Sequence, residues 1–395
     1  MILTSVLLLQ GCDVGSPSTE PVDLPPVKLT GITATTGYDA AGRPVQSSFF
    51  TGSIGSEATS SASIHLAFDR YLLPASVSRQ AICVRPATTP VTGPADCTQG
   101  QFFSPTYDPV RREVVLRLSE GARLDKATEY TVTVLRPTED GASGIRAFDW
   151  APLEQTMEFV FRTSAVDPPG APAEGEDELA YVETDAFCSQ SAICLASCAG
   201  DSTCEKTCQS AQQALSSCAF GGCHAEGGRT LEGSSESVYI GPAMGLILCT
   251  QPPGSAACPV KYLSPMLATA IGKVAHQTQQ GENGRDGDVN PVLDEPRRFG
   301  RAMPIIDPGN PGNSYLLYKI LRGIDPLVVS RNNPAAPGEN ERLGASVVVG
   351  MAMPANGYHL TDGVSRLGLP EEQVDSIQVL SDWIARGAPT SFCPL

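Results

Sequence analysis

The chain has 395 residues, 41% of them hydrophobic, which is length for two or three domains and enough apolar material to bury a core in each. Charged residues are only 18%, and 38 glycines with 33 prolines favour a loop-rich, strand-containing protein over a long helical one. The net charge of −16 sets the surface against a phosphate backbone and so excludes nucleic acid as a partner.

Thirteen cysteines are many for a reducing compartment, which would leave them as free thiols, whereas an oxidising one turns them into staples. An export signal is therefore expected. The chain opens with a short apolar run in MILTSVLLLQGC, ending Leu9-Gln10-Gly11-Cys12, too short to span a bilayer. That ending resembles a bacterial lipobox, with an aliphatic residue, then a small one, ahead of the cysteine. The resemblance implies a lipoprotein signal peptide over 1–11, a diacylglyceryl group on Cys12, and a protein anchored to membrane through that lipid. Its place would be the bacterial cell envelope, facing the periplasm or the cell surface. No Lys or Arg precedes the apolar run, and Asp13 after the cysteine leaves the choice of membrane open. The competing reading, an ordinary buried strand, sits badly with the Pro/Ser/Asp-rich tether over 12–26.

Between 27 and 165 the hydrophobic period is two. SIHLAFD alternates Ile64, Leu66 and Phe68; REVVLRL alternates Val114, Leu116 and Leu118. EYTVTVL alternates Tyr130, Val132 and Val134, and TMEFVFRT alternates Met157, Phe159 and Phe161. Such runs with turn signals between them predict an antiparallel sandwich. His65 alternates away from the apolar face and is expected in solvent. Cys83 and Cys97 are expected to pair and to close the insert VRPATTPVTGPAD, a staple worth about 3 kcal/mol in the chain-entropy model. The order of the pieces resembles bacterial Ig-like domains: Phe68-Asp69 ends an early strand, YDPVRREVVL forms a hairpin, Leu124 and Tyr130 make a corner, and Phe161-Arg162-Thr163 closes the last strand. The resemblance implies a spacer or docking module and says little more about function.

An acidic Pro/Gly-rich stretch over 166–182 reads as a linker to a second domain over 183–395. Cys194 with Cys198 and Cys204 with Cys208 stand at one-turn helical spacing about a Gly-Asp-Ser-Thr turn. Two antiparallel helices would then carry nested bridges, Cys194–Cys208 and Cys198–Cys204, and the stretch resembles small Cx3C helical hairpins. A zinc site is the rival reading, and an exported chain favours disulfides. Cys249 and Cys258 flank a Pro-Pro-Gly turn that suits a local bridge, which leaves Cys188 and Cys393 to join the ends of the domain.

CAFGGCH, 218–224, places a histidine directly after the second of two cysteines. Covalent haem attachment asks for this order, two thiols for the vinyl groups and an imidazole for the iron. The usual gap is two residues and here it is four, Ala219 to Gly222, so a Cys218–Cys223 disulfide stays open as the alternative. Downstream come PGNPGNSYLLYKILRG, a Met353-Pro354 loop, and LPEEQVDSIQVLSDWIARGAP, a helix starting near Pro370 and stopped by Gly387. From Cys218 onward the chain is similar to the cytochrome c-like domains of exported bacterial proteins. Pro311, Ser314, Leu317 and Leu321 match one helix of that family, and Ile377, Leu380, Trp383, Ile384, Gly387 and Ala388 match its last. The resemblance implies haem c on Cys218 and Cys223, His224 as proximal and Met353 as distal iron ligand, and electron transfer with a redox partner protein. The stretch over 229–300 stands outside that pattern. Without haem the same domain would be a stapled scaffold for a surface ligand.

Other candidates are weaker. Met351 lacks the following proline, Met303-Pro304 precedes the first family helix, and His276 with His359 could form a bis-histidine pair. Asp286, Asp288 and Asn290 have calcium-loop spacing without the closing glutamate. GxSxG, HExxH, Walker and dinucleotide fingerprints are missing, so catalytic residues are not assigned. The expected fold is multidomain: an all-β Ig-like sandwich, a stapled helical hairpin and a mainly α cytochrome c-like domain.

Overall fold

A computed structural model describes residues 24–40, 44–49, 57–101, 103–118, 122–138, 143–173, 271–272, 303–322, 333–346, 348 and 376–388. Its strands are β1 (Leu29–Tyr38), β2 (Pro44–Ser48), β3 (Ile64–Phe68), β4 (Ile82–Pro86), β5 (Phe103–Asp108), β6 (Glu113–Leu118), β7 (Glu129–Val134) and β8 (Met157–Arg162). They form two sheets, ordered β2-β1-β3-β6-β5 and β4-β7-β8, and every pairing between them is antiparallel.

Period-two patterning explains which faces meet. Ile32, Ile64, Leu66, Phe68, Val114 and Leu116 of the larger sheet share one core with Val84, Tyr130, Val132, Val134 and Phe161 of the smaller. The antiparallel β expectation for the N-terminal region thus holds. Met157 and Phe159 are only partly buried and pack on that core from its margin. Leu124 is buried, and the Tyr130 hydroxyl accepts the Asp125 N–H at 2.9 Å, which fixes the corner into β7. β1 and β2 are less visible in the sequence. Their register shifts between Thr35 and Gly37, and between β1 and β3 another shift falls at Leu29/Gly31, so strict alternation is interrupted.

Cys83 on β4 and Cys97 at the end of α1 (Pro94–Cys97) form the expected disulfide, with Leu135 packed beside it. Asp96 holds the start of α1: its Oδ2 accepts from the Thr92 N–H and hydroxyl, both at 2.7 Å. The first residues of the expected linker lie against the sandwich. Asp167 accepts the Ser60 N–H at 2.7 Å and pairs with Lys126 at 2.9 Å, and the Ala173 carbonyl accepts from Arg123 at 2.5 Å.

Three further helices are described: α2 (Tyr315–Leu321), α3 (Glu339–Ser346) and α4 (Ser376–Ala385). A turn at Pro311–Asn313 leads into α2, and Gly312 lies so close to β5 that a Cβ there would stand 2.6 Å from the Tyr107 ring. Only glycine permits that approach. α4 stops where Gly387 adopts φ of 91°, with its N–H donating to the Ile384 carbonyl and that of Ala388 to the Trp383 carbonyl. Gly309 N–H reaches the same Ile384 carbonyl at 2.7 Å, which ties α4 to the segment before α2. Leu317, Tyr318, Ile320, Leu343, Leu380, Trp383 and Ile384 belong to the same continuous core as the sandwich. Each such large apolar side chain contributes about 2 kcal/mol on burial. Sandwich and helices therefore share one interior.

Candidate functional site

The helices meet the sandwich along a seam of buried polar groups. Arg70 directly follows Phe68 and Asp69 at the end of β3. Its side chain and that of Glu339 on α3 are both fully buried, 3.0 Å apart from Nε to Oε2. Nη2 pairs with Asp149 and Nη1 donates to the Pro25 carbonyl at 2.6 Å. Glu339 also accepts the Tyr71 N–H at 2.8 Å and pairs with Arg342 at 2.9 Å. Burial alone would favour a neutral guanidinium, but the charges of Glu339 and Asp149 outweigh it and hold Arg70 above its ordinary range. The ion pairs and hydrogen bonds inside this cluster keep its desolvation tolerable.

Asn333 is the second tie. Its Nδ2 donates to the Phe68 carbonyl at 2.8 Å and to the Arg111 carbonyl at 3.0 Å, while Oδ1 accepts the Thr30 hydroxyl at 2.7 Å. Its own carbonyl accepts from Arg112, which is fully buried and has a positive φ in the β5–β6 turn. The Arg112 guanidinium lies 5.8 Å from the centre of the Tyr71 ring. Arg112 Nε and Nη1 and the Tyr71 hydroxyl are neighbours without reaching hydrogen-bond geometry. Burial pushes the Tyr71 hydroxyl up to about 12, against the pull of Arg112. Tyr318 from α2 meets Tyr71 and Phe148 edge-on, with centroids at 6.4 and 5.8 Å. The hydroxyls of Tyr107 and Tyr318 are also raised by burial, and each bonds backbone: Tyr107 accepts the Leu72 N–H, Tyr318 donates to the Gly312 carbonyl.

A third tie joins the β5–β6 turn to α4, where Ser381 and Gln378 donate to Asp108 at 2.8 and 2.7 Å. On α2, Lys319 is buried as well, and desolvation, helped by Arg322, pulls its ammonium down to about 8.

His65 sits on the face of β3 opposite the core, as alternation dictates. It is not in solvent, however, being only 9% exposed. Its Nε2 is 3.2 Å from the Ser63 hydroxyl and its Nδ1 3.5 Å from Glu113 Oε2. Burial acts to raise the Glu113 carboxyl, but His65, Arg111 and Arg112 outweigh it and hold it low. Hydroxyl, imidazole and carboxylate stand in the order of a nucleophile relay. Ser63 is itself buried and shares its hydroxyl with Thr35 at 3.2 Å, so the three serve as cross-strand ties. Period two finds the face of His65; it cannot find the cover over it.

Cys12, Cys188, Cys194, Cys198, Cys204, Cys208, Cys218, Cys223, His224, Cys249, Cys258, Met353 and Cys393 lie outside the described residues, as do His276, Met351, His359 and the Asp286 loop. Two thiols, an imidazole and a thioether are donors of the kind haem c takes, so the donor set fits the group by its chemistry. Met303 is described, and it is a core residue, 3% exposed. Among the described residues no group of three or more His, Cys, Asp or Glu could hold a metal ion, and no helix is long and apolar enough to cross a membrane. No protein-family model and no curated protein matches the chain.

Proposed function

We propose that this is a lipid-anchored protein of the bacterial cell envelope, tethered at Cys12, in which an Ig-like sandwich carries a cytochrome c-like domain with haem c for electron transfer. The observation that carries the reading is the Cys218, Cys223, His224 order followed by Met353-Pro354 and by the two family helices. Support comes from those helices: α2 and α4 form where the family pattern expects them, and the segment before α2 is hydrogen-bonded to α4. When bound, the group would supply a one-electron couple, with a potential that a methionine ligand raises relative to histidine. The chain's part is to hold it: Cys218 and Cys223 by thioether bonds, His224 and Met353 at the iron. A redox partner protein follows from this activity, and no chemistry on a substrate is assigned.

Complete burial favours a second reading, a haem-less scaffold or binding lipoprotein stapled by disulfides. All seven side chains of α2 are in the packed interior. One experiment separates the two. The full chain, produced with haem c maturation proteins, is examined by absorption spectroscopy and by mass analysis of the peptide holding 218–224. Electron transfer requires a Soret band and a thioether-linked porphyrin on that peptide. A colourless protein with Cys218 bonded to Cys223 would leave the scaffold.

A further inference from the structure

Helix α4 meets the β5–β6 turn through two carboxylates held on one amide nitrogen. Gln378 Nε2 donates to Asp108 Oδ2 at 2.7 Å and to Asp382 Oδ1 at 2.9 Å. The two acceptors are not equally served. Asp108 also accepts the Ser381 hydroxyl at 2.8 Å and the Val110 N–H at 2.9 Å, so three donors converge on it. Asp382 has Gln378 as its hydrogen-bond donor among the described residues. An amide can bridge two carboxylates, but it neutralises neither, so the charge of Asp108 opposes that of Asp382 across it.

The groups facing Asp382 come from each element packed around it. The hairpin brings Arg111 and Arg117, which favour its charge, and Asp108, which opposes it. Its own helix brings Gln378. Desolvation dominates, and with Asp108 it pushes the Asp382 carboxyl up to about 6 against the two arginines.

We propose that Asp108, Gln378 and Asp382 form an acid-tightened latch, in which protonation of Asp382 seats α4 more firmly on the β5–β6 turn. The proton comes from solvent and no other bond changes: a pair of anions becomes an acid and an anion that can share hydrogen bonds. The sign follows from linkage. The folded chain takes up this proton at a higher pH than the unfolded chain, whose carboxyl has the ordinary value of 3.8. Docking is therefore strongest at low pH and weakens as pH rises from about 4 through about 6, the window set by those two values.

Amide hydrogen exchange on the full chain, corrected for intrinsic rates, tests the latch. Protection of the α4 amides should be roughly tenfold higher at pH 5 than at pH 7, with β3 amides as the internal reference. Asp382→Asn, which keeps the shape and removes the charge, should give high α4 protection at both pH values. Equal protection of α4 at the two pH values overturns the proposal. So does a pH dependence that survives in Asp382→Asn, or one in which α4 and β3 move together, because each places the titration elsewhere.

Discussion

The interior of the sandwich and its seam with the helices are built on different rules. Inside, Ile64, Leu66, Val114, Val132 and Phe161 interlock through apolar contact alone. At the seam, Arg70, Glu339, Asn333 and Arg112 are as deeply covered, but charge and hydrogen bonding decide their geometry. Apolar packing is forgiving about partners and demands only volume. A buried guanidinium is not: it needs specific acceptors at specific places, so it fixes which surface docks and in what orientation. The interior thus supplies stability, and the seam supplies the single arrangement of helices on sheet.

The sharpest way to break this contrast is Glu339→Ala, which strands Arg70 in the interior with half its counter-charge gone. Urea unfolding should show a loss of about 4 kcal/mol. Arg70→Met with Glu339→Leu and Asp149→Asn should recover most of it, because the guanidinium and both of its carboxylate partners then lose their charge together. Recovery no better than the single variant would mean that the seam is held by packing. Leu66→Ala tests the interior and should cost about 3 kcal/mol through the cavity left behind, with no partner substitution able to rescue it by charge. Replacing Cys83 and Cys97 together with alanine should lower stability by about 2 to 3 kcal/mol in the same assay, without altering α2, α3 or α4. Tyr130→Phe removes the hydrogen bond from Asp125 and should cost about 1 kcal/mol, the smallest effect, since the ring stays stacked on Phe161.

The two rules also explain what could be read from the sequence. Strands β3, β6, β7 and β8 announce themselves because their inward residues recur every second position. Tyr130, the Cys83–Cys97 pair and the Gly387 stop are equally local signals. β1 hides, because LTGITATTGY is rich in threonine and glycine and its alternation is interrupted at two register shifts. Arg70 and Arg112 look like surface residues in sequence. Their burial depends on Glu339 and Asn333, more than two hundred residues away, and no local pattern encodes such a partner. His65 shows the boundary well: periodicity gives its direction, and only the fold gives its burial. The residues proposed for haem in CAFGGCH and the Met353 loop rest on motif alone, since they fall outside the described residues.

Asn333 carries a consequence for the order of events in synthesis. It caps the ends of β1, β3 and the β5–β6 turn at once, yet it is made long after all of them. A chain emerging from its N-terminus must therefore wait with those carbonyls unmet and with Arg70 and Arg112 facing water. The sheets can pair early, but they become a finished object only when the last third of the polypeptide arrives to lock them.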